Sequence, residues 1–480
     1  MEWDEKVFEL VPVSLEEVLD AREARAATRQ RLIDRWKTPL VCFTLNIPGP
    51  HKVFPLAIDT FEEGKQRILT LLKRRFGGCI FCYENRNKTG FEAFFGVDGD
   101  ACEIKRMLLA LEEGHPLGRL FDIDVYDALG TQLHRIDFGS EERKCLLCEQ
   151  TVWACSRSRR HSADELFRRV VQMMSGYFEE RFAEDTAQKA VRALMTEVCI
   201  TPKPGLVDRA DNGAHSDMDL FTFVNSGCSL FPFFRAVTLF SLRRTGDAEG
   251  LLEAIRFHGI LAEDAMLLAT GGVNTHKGAI FSLGLLCAAA GLLYKSSGSI
   301  CAETLFELCA KAAGKAVDEL GERKGKEGTT THGEAAFAAY RLPGIRGEVA
   351  SGFASVQTHA LPVFQKLRSC GHSVEEAGVV AMLHLIAYVD DTNIVSRSSL
   401  TTLREIQRGV RLMLREGKPA SELIKYARHL NHLFIERHIS PGGCADLLAV
   451  TIFVDSLCSG KTWESPSFSF DSIAFQTSFV

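Results

Sequence analysis

The sequence of 480 residues has no excess of basic side chains and no leader-like start. Its 56 Lys and Arg stand against 62 Asp and Glu, which gives a formal net charge of -6. A general nucleic-acid binder would usually be basic, so this balance argues against that class of protein. The first residues, MEWDEKVFEL, have neither the basic n-region nor the apolar core of a secretory signal peptide. We therefore expect a cytoplasmic protein whose 15 cysteines are mostly reduced, small apolar side chains.

One uncharged segment imitates a membrane span but lacks several of its features. Residues 278–294 carry no charge, yet the run is short for a bilayer crossing and rich in Gly and Ala. His276 and Lys277 precede it without the basic flanks of a topology signal. The pattern is more typical of a central buried helix, so we expect no membrane association.

The texture of the sequence changes near residue 180. Before it, short β-rich runs alternate with helical segments, which is typical of a mixed α/β or α+β domain. With 46% hydrophobic and 25% charged residues, a chain of this length is expected to form several soluble domains. We predict a first domain over residues 1–180, with strands near 40–45, 79–83, 93–97 and 119–125 and helices over 15–36, 61–76 and 101–113.

After residue 180 there is little strand signal and no internal repeat. Apolar residues at 187, 190, 191, 194 and 198 follow the spacing of one helix face. We predict an all-α multi-helix domain over residues 181–480, whose loops are rich in Gly, Asn, Asp and His. Its predicted helices cover 220–244, 249–268, 277–294, 302–320, 347–366, 373–389, 400–416, 420–436 and 444–458.

Two acids in the first domain are spaced for one face of a strand. Asp122 and Asp124 lie in the string GRLFDIDVYD, and alternate residues of a strand face the same side. Two such carboxylates can hold Mg²⁺ against a polyphosphate, and Arg119 beside them can neutralise phosphate charge. Lys52, at the end of the rigid turn NIPGPHK, is a further candidate phosphate contact. An acidic strand edge and an ordinary strand-ending turn are the alternatives.

A cluster of soft metal ligands follows the acidic strand. Three thiols and an imidazole can bind structural zinc, although this spacing is not that of a familiar zinc finger. Reduced cysteines packed in a turn are the alternative. Arginines at 157, 159 and 160 form a basic patch beside the cluster, suited to phosphate or an acidic protein, or simply solvated. The cluster reads C-x2-C-x6-C-x5-H, at Cys145, Cys148, Cys155 and His161.

The second domain opens on an irregular polar segment, EVCITPKPGLVDRADNGAHSDMD, over residues 197–219. Two prolines and two glycines break the helical pattern. So many ionisable groups between apolar helices indicate a site rather than a core, because loops on rigid scaffolds commonly carry function. A solvated loop between helices is the alternative. The candidate residues are Lys203, Asp208, His215 and Asp217.

Three further strings of the second domain carry binding groups. GGVNTHKG precedes an apolar helix, whose N-terminus suits an anion, although the string is not a Walker A sequence. AYVDDTNIVSR contains adjacent acids, which need a cation or a donor if they are buried. SPGGCADLL opens another helix with glycines that allow close backbone approach. The candidate side chains are Asn274, His276, Lys277, Asp390, Asp391, Asn393 and Arg397.

Several of these strings together resemble a known pair of enzymes. TPKPGLVDRADNGAHSDMD, GGVNTHKGAIFSLGLL, DDTNIVSR and SPGGCADLLA resemble triphosphoribosyl-dephospho-CoA synthase. NIPGPHK, GRLFDIDV and RKCLLCEQTVWACSRSRRHS resemble apo-citrate lyase phosphoribosyl-dephospho-CoA transferase, so the whole chain resembles a fusion of both. In two departures, Cys444 stands where the resemblance implies a small residue such as Ser, and Ser398-Ser399 where it implies Gly-Gly.

The resemblance implies a bifunctional transferase that catalyses two consecutive reactions. The synthase part would join ATP and 3'-dephospho-CoA into 2'-(5''-triphosphoribosyl)-3'-dephospho-CoA and release adenine. The transferase part would attach this nucleotide to a serine of the citrate lyase acyl carrier protein, the gamma subunit, and release pyrophosphate. Neither nucleic acid nor a membrane is an expected partner.

This chemistry suggests roles for the candidate residues. Cleaving the bond between adenine and ribose builds positive charge on the sugar and negative charge on the base, so a carboxylate and a proton donor would lower the barrier. Mg²⁺ is the expected cofactor for the phosphate groups in both domains. The expected catalytic residues are His215, Asp217 and Asp208, the expected phosphate clamps are Lys203 and Lys277, and the expected metal ligands are Asp390 and Asp391 in one domain and Asp122 and Asp124 in the other.

A second class of protein fits the same residues. The cysteine cluster would then stabilise a zinc-containing binding module, fused to an α-helical hydrolase of nucleoside conjugates in which water replaces the dephospho-CoA hydroxyl. Adenine release from ATP discriminates the two, because only the synthase requires dephospho-CoA.

Overall fold

The computed structural model describes residues 11–297, 300–314, 337 and 339–459. The described residues form two compact units, which divide between Glu179 and Glu180. Helix α5 (Ala163–Cys199) runs through this boundary, so the division is not marked by a loop.

The first unit is built on a five-stranded sheet with the order β2-β3-β1-β4-β5. All strand pairs that the structure describes are antiparallel, which makes this unit an α+β rather than a parallel α/β arrangement. The strands are β1 (Leu40–Leu45), β2 (Phe81–Asn87), β3 (Gly90–Gly96), β4 (Phe121–Tyr126) and β5 (Gln132–Leu133). The helices before α5 are α1 (Leu15–Trp36), α2 (Pro55–Phe76), α3 (Ala101–Gly114) and α4 (Val152–Ser158).

The core of the first unit lies between one face of the sheet and helices α2 and α3. Phe43 of β1 stacks on Phe61 of α2 with ring centroids 5.1 Å apart, and Ile104 of α3 belongs to the same buried cluster. On β4 the apolar residues at 121, 123 and 125 are buried, while the acids between them lie on the opposite face. The strand therefore presents its carboxylates away from the core, which makes them available for a site.

The second unit is helical, and no strand occurs among its described residues. It contains the C-terminal part of α5 followed by twelve helices that the structure delimits. These are α6 (Leu220–Ser229), α7 (Phe231–Arg243), α8 (Leu251–Ala269), α9 (Lys277–Ser297), α10 (Ala302–Ala312), α11 (Gly344–Ala350), α12 (Leu361–Ser369), α13 (Val374–Tyr388), α14 (Thr392–Arg397), α15 (Leu400–Arg415), α16 (Ala420–Glu436) and α17 (Gly442–Ser459).

Two predicted helices of the second unit differ from those observed, and a third is described only in part. The helix expected over 220–244 is divided at Leu230, because Pro232 stands in the first turn of α7 and cannot continue the hydrogen bonds of α6. The helix expected over 347–366 is replaced by α11, a π-helical turn at Val356–Ala360, and α12. The end of the helix expected over 302–320 lies outside the described residues.

Helix α9 forms the centre of the second unit, as the sequence predicted. It packs against α7, α8, α10 and α17, and the stretch from Leu285 to Ala290 is fully buried. By length and composition, Lys277–Ser296, Gly442–Ser459 and Leu220–Arg243 are apolar enough to cross a membrane, and 72%, 67% and 33% of these segments are buried inside the protein. Packing in the interior therefore accounts for most of the apolar surface of α9 and α17.

Candidate active sites of the two units

The acidic pair of the first unit lies on one face of β4, as predicted. Asp124 accepts a hydrogen bond from Gln132 Nε2 at 2.8 Å. Asp122 Oδ2 accepts one from Thr44 Oγ1 at 3.5 Å, and Asp122 Oδ1 lies 3.7 Å from Arg143 Nη1. Burial and the negative charge of Asp122 raise the pKa of the Asp124 carboxyl. Two neighbouring acids that repel each other in this way suit a divalent cation.

A pocket beside the acidic pair, here called the basic pocket, is lined by Arg119, Arg135, Arg143 and Lys144. Glu113, Glu141 and Glu142 line it as well, and Arg143 Nη2 binds Glu112 Oε1 at 2.5 Å. Arg119 donates to the carbonyl oxygen of Lys144. Burial and the positive charges of Arg143 and Arg135 lower the pKa of Arg119. Guanidinium groups that crowd one another at a partly buried site repel each other, so they favour the binding of a polyanion such as a polyphosphate.

Lys52 is held inside the turn that it was predicted to end. Its Nζ donates to the carbonyl oxygen of Ile47 at 2.5 Å. Burial, with a smaller effect of Arg22, lowers the pKa of this ammonium. Lys52 lines a pocket with Arg25 and Thr44, and Thr44 also contacts the acidic pair. Its first contact is thus structural, although it stays near the candidate phosphate site.

The predicted metal ligands of the cysteine cluster are brought together by the fold. Within the described part of the chain, they form the one group of three or more His, Cys, Asp or Glu side chains whose ligand atoms all lie within 4.8 Å of one another. The four residues are Cys145, Cys148, Cys155 and His161.

In the second unit, the loop before α6 is folded around its own charged side chains. Lys203 Nζ binds Glu197 Oε1 at 2.5 Å, and both residues are buried. Asp208 accepts hydrogen bonds from the backbone N–H groups of Lys203 at 3.0 Å, Ala210 at 2.6 Å and Asp211 at 3.2 Å. These contacts give Lys203 and Asp208 structural roles, because buried charges must be paired where they lie. Their phosphate-binding and catalytic roles stay predictions.

Asn431 of α16 anchors this loop, and sequence reasoning missed it. Its Oδ1 accepts from the Gly205 N–H at 2.8 Å, and its Nδ2 donates to Asp211 Oδ2 at 3.0 Å. Gly205 has φ of +70°, and a Cβ there would lie 2.1 Å from the carbonyl oxygen of Ile439, so only glycine fits. The available signal was a single amide on the apolar face of a helix.

His215 joins three of the predicted site segments. Its Nε2 lies 2.8 Å from Ser440 Oγ, and its Nδ1 lies 3.4 Å from Arg397 Nη2 and 3.7 Å from Asp217 Oδ1. Because the guanidinium can only donate, Nδ1 accepts and Nε2 carries the proton toward Ser440. Burial, followed by the charge of Arg397, lowers the pKa of His215, so this imidazole is neutral at pH 7.

His276 is a buried imidazole with one unused nitrogen. Thr275 Oγ1 donates to Ser226 Oγ at 2.7 Å, and Ser226 Oγ lies 2.6 Å from His276 Nδ1. Ser226 is thus free to donate its own hydrogen to Nδ1, and in that tautomer the proton of the neutral ring lies on Nε2. Nε2 is buried and has no partner among the described residues. Burial and the charge of Lys203 lower the pKa of His276 to about 3, so it is an uncharged donor awaiting an acceptor.

The other two candidates before α9 have local partners. Asn274 Oδ1 accepts from the Lys277 N–H at 3.2 Å and so satisfies a free donor at the start of the helix. Lys277 Nζ binds Glu263 Oε2 at 2.8 Å on the surface. Asn274 is thus a helix cap, whereas Lys277 remains accessible to an anion from solvent.

Asp390 and Asp391 bind different protein partners, and their role as metal ligands stays a prediction. Arg404 binds Asp390 through Nη1 at 2.5 Å and Nη2 at 3.1 Å. Asp391 is 1% exposed and accepts from the N–H groups of Asn393 and Cys444, each at 2.8 Å. The neighbouring carboxylates therefore serve different partners, and Asp391 joins the N-termini of α14 and α17. The Asn393 side chain lies against Gly442, where a Cβ would be 2.9 Å from its Nδ2.

Asp446 is the site residue that sequence reasoning overlooked. A Cβ at Gly278 would lie 2.0 Å from Asp446 Oδ2, so the carboxylate occupies the space that this glycine leaves, and it accepts from the Ala279 N–H. Asp446 is half-buried as a residue, but its carboxyl is desolvated. Burial and the charges of Glu197 and Asp391 raise its pKa well above the usual range. A lone acid in the apolar helix α17 was the available signal.

The two units thus contain separate polar centres, and both have perturbed titratable groups of the kind that enzymes use. Comparison with known protein families agrees with this division. The family model "CitX: Apo-citrate lyase phosphoribosyl-dephospho-CoA transferase" matches residues 13–177. The family model "CitG: ATP:dephospho-CoA triphosphoribosyl transferase" matches residues 183–465.

Two individual relatives match nearly the whole chain, and a third matches a part of it. Protein CitXG of Haemophilus influenzae is 36% identical over 92% of this chain and 96% of its own length. Protein CitXG of Leuconostoc mesenteroides subsp. cremoris is 32% identical over 93% and 97%. The 2-(5''-triphosphoribosyl)-3'-dephosphocoenzyme-A synthase of Klebsiella pneumoniae is 41% identical over 58% of this chain and 92% of its own length. The chain therefore belongs to the family of fused CitX and CitG proteins.

The different partners of the two adjacent aspartates predict different effects on stability. Asp391→Asn replaces an oxygen acceptor by an amide that faces backbone donors, so the free energy of unfolding of the second unit should fall by about 1–3 kcal/mol. Asp390→Asn breaks a partly exposed ion pair and should cost less than about 1 kcal/mol. Denaturant unfolding followed by circular dichroism measures both. Equal losses for the two variants would contradict the assigned contacts.

Proposed function

We propose that this chain makes the precursor of the citrate lyase prosthetic group and then transfers it to the citrate lyase acyl carrier protein. The observation that carries the proposal is the presence of both enzyme domains in one chain, each with its own polar centre. The first reaction belongs to the helical unit and the second to the unit with the sheet.

In the first reaction, the 2'-hydroxyl of 3'-dephospho-CoA attacks the ribose carbon of ATP that carries adenine. The new carbon–oxygen bond replaces the carbon–nitrogen bond, adenine leaves with the bonding electrons, and the triphosphate stays on the product. The hydroxyl proton must be removed and adenine must gain one. A base near the sugar and a donor near adenine therefore supply the main catalytic needs.

Asp446 is the base that the contacts support best. Its carboxyl is desolvated, lies near two further acids, and has a pKa well above the usual range. A carboxylate of this kind can take a proton from the attacking hydroxyl, and its negative charge stabilises the positive sugar in the transition state. The backbone N–H of Ala279 keeps it oriented at the N-terminus of α9.

His276 is suited to the adenine that leaves. Its Nε2–H is buried and lacks a partner among the described residues, and Ser226 fixes the tautomer. A ring nitrogen of adenine accepts this hydrogen bond, which stabilises the negative charge on the base as the bond breaks. The exposed cations Arg397 and Lys277 are available for the triphosphate. His215, neutral and bound to Ser440, positions Arg397.

In the second reaction, the serine oxygen of the carrier protein attacks the phosphorus atom next to the ribose. The new phosphorus–oxygen bond replaces the bond to pyrophosphate, which leaves with its electrons. Asp122 and Asp124 would hold Mg²⁺, which would supply neutralising charge to the leaving group. Arg119, Arg135 and Arg143 line the adjoining pocket, where they can bind phosphate oxygens.

The dependence of adenine release on dephospho-CoA tests this proposal directly. With the purified chain, ATP and Mg²⁺, chromatography should detect adenine only after dephospho-CoA is added. Equal adenine release without dephospho-CoA would support a hydrolase of nucleoside conjugates and overturn the synthase assignment.

Asp446→Asn should lower the rate of adenine release at least 100-fold, or about 2.7 kcal/mol of transition-state stabilisation, because the amide cannot take a proton. In the unchanged protein the rate should rise with pH through the raised pKa of Asp446, since the base acts when deprotonated, and the variant should lose this dependence. Asp455→Asn is the control, because Asp455 lies on the same helix and contacts Gln365 instead. Near-normal adenine release by Asp446→Asn would eliminate Asp446 as the base.

Gly278→Ala should displace the same carboxylate without removing it. The added methyl group would meet Asp446 Oδ2 at 2.0 Å, so adenine release should fall at least tenfold while the helical circular dichroism is retained. Gly259→Ala is the matched control on α8, where a Cβ meets nothing within 4 Å. If Gly278→Ala releases adenine as fast as the Gly259→Ala control, adenine release does not depend on the position of the Asp446 carboxylate beside α9.

Asp122→Asn and Asp124→Asn should separate the two reactions. Each removes a candidate metal ligand of the first unit, so modification of the carrier protein should slow at least tenfold. Adenine release should continue, and the triphosphoribosyl intermediate should accumulate. Asp98→Asn, at an exposed acid of the same unit, should change neither reaction. Chromatography of adenine and mass spectrometry of the carrier protein follow both steps, and normal carrier modification by both Asp122 and Asp124 variants would exclude this site.

A further inference from the structure

The cysteine cluster of the first unit has the dimensions of a tetrahedral metal site. Cys155 Sγ lies 3.5 Å from Cys145 Sγ and 3.9 Å from Cys148 Sγ, and all four ligand atoms, including that of His161, lie within 4.8 Å of one another. Tetrahedral zinc with bonds of about 2.3 Å to sulfur requires sulfur atoms roughly 3.8 Å apart. The observed spacing encloses an ion of this size without rearrangement.

The imidazole of the cluster has a nitrogen that needs a partner. His161 Nε2 is buried and makes no hydrogen bond among the described residues. A buried polar atom without a partner is costly, and a metal ion supplies the missing interaction. This observation is independent of the thiol distances and points to the same centre.

The backbone around the thiols is folded as a closed turn. Cys145 N–H donates to the carbonyl oxygen of Gln150 at 2.8 Å, and Leu147 N–H donates to Cys145 Sγ at 3.4 Å. Lys144 and Thr151 pair across the base of the turn, and Thr151 caps α4, which carries Cys155. The turn thus orients Cys145 and Cys148 toward a third ligand on a helix.

The segment has little apolar core of its own to hold this arrangement. Helix α4 has seven residues, and the only one that is buried is Cys155. Small segments without a core commonly depend on a metal or a disulfide for their structure. A metal-stabilised segment is expected to bury its ligands and little else, and Cys155 is the buried residue of α4.

We propose that Cys145, Cys148, Cys155 and His161 bind one structural Zn²⁺. The three thiols lose their protons to the solvent on binding, and His161 binds as the neutral imidazole, so the occupied centre carries one negative charge. Exposed arginines at 157, 159 and 160, at the end of α4, add positive charge to the same segment. All four ligand positions are taken by protein, which is the arrangement of structural rather than catalytic zinc.

The position of the centre gives it a consequence for the neighbouring site. The metal-binding turn begins directly after Arg143 and Lys144, which line the basic pocket. Arg143 contacts Asp122, and Arg119 donates to the Lys144 carbonyl. Zinc therefore holds Arg143 and Lys144 in place beside the pocket. This effect on the pocket rests on the proposed function of the first unit as the transferase.

Metal content tests the site without reference to activity. The full chain, purified under reducing conditions without chelator, should contain one zinc ion per chain, as measured by inductively coupled plasma mass spectrometry. Replacement by Co²⁺ should give the visible absorption of tetrahedral cobalt with thiolate ligands. Cys148→Ser and Cys155→Ser should each lose most of the zinc, whereas Cys102→Ser, outside the cluster, should keep it. His161→Cys replaces the imidazole by another zinc ligand and should retain zinc, whereas His161→Ala removes the fourth ligand and should lose it.

Two outcomes would overturn the metal site. One is a chain without stoichiometric zinc in which Cys145, Cys148 and Cys155 all react with a thiol-labelling reagent. The other is a disulfide between two of these cysteines in the protein as isolated. Either result leaves the proposed function standing, because carrier modification is measured separately.

The positional consequence has its own readout. Cys155→Ser should slow carrier modification at least tenfold while adenine release is unchanged, and His161→Cys should modify the carrier normally. If the chain contains zinc but its loss leaves carrier modification unchanged, the ion does not position Arg143 and Lys144. If the unchanged chain contains zinc but never modifies the carrier, the transferase assignment fails and the metal site stands.

Discussion

Burial of acidic groups is the constraint on which the helical unit depends. Burial raises the pKa values of Glu197, Asp391 and Asp446, and the charges of Glu197 and Asp391 raise that of Asp446 further. All three lie among apolar helices, where an unpaired charge is costly. Lys203 neutralises one of them and backbone N–H groups hold another. Asp446 lies at the N-terminus of α9, beside a glycine that leaves room for its carboxylate. The packing that stabilises this unit thereby raises the pKa of Asp446.

The unit with the sheet solves a different electrostatic problem. Its acids lie on the face of β4 opposite the main core, where Asp122 lies beside Arg143 and Asp124 is partly buried near Lys105 and Arg143. Three arginines line the neighbouring pocket. Guanidinium groups keep their charge when partly buried and can bind phosphate oxygens in pairs, which suits a substrate with a long phosphate chain. Most of these arginines are fixed by contacts with Glu112 or with backbone carbonyl oxygens, so the pocket is organised before a ligand arrives.

The sequence was sufficient where local signals decide the structure. Helices α1 and α16 have the predicted ends, because apolar periodicity runs through them and Ser14 caps α1. The shared face of Asp122 and Asp124 also follows from strand alternation alone. The roles of Asp390 and Asp391 could not be predicted, because adjacency in sequence does not show which distant donors reach each carboxylate. Asp446 was missed for the same reason, since Gly278 of α9, against which its carboxylate packs, is remote from it in sequence.

The proposed function requires that one chain catalyses both reactions in order. The most direct measurement is mass spectrometry of the apo citrate lyase carrier protein after incubation with the chain, ATP, 3'-dephospho-CoA and Mg²⁺. We expect one serine to gain the mass of phosphoribosyl-dephospho-CoA, with one adenine and one pyrophosphate released for each modified carrier. A carrier protein of unchanged mass, in a reaction that releases adenine and contains the triphosphoribosyl product, would contradict the assignment of the second reaction to this chain.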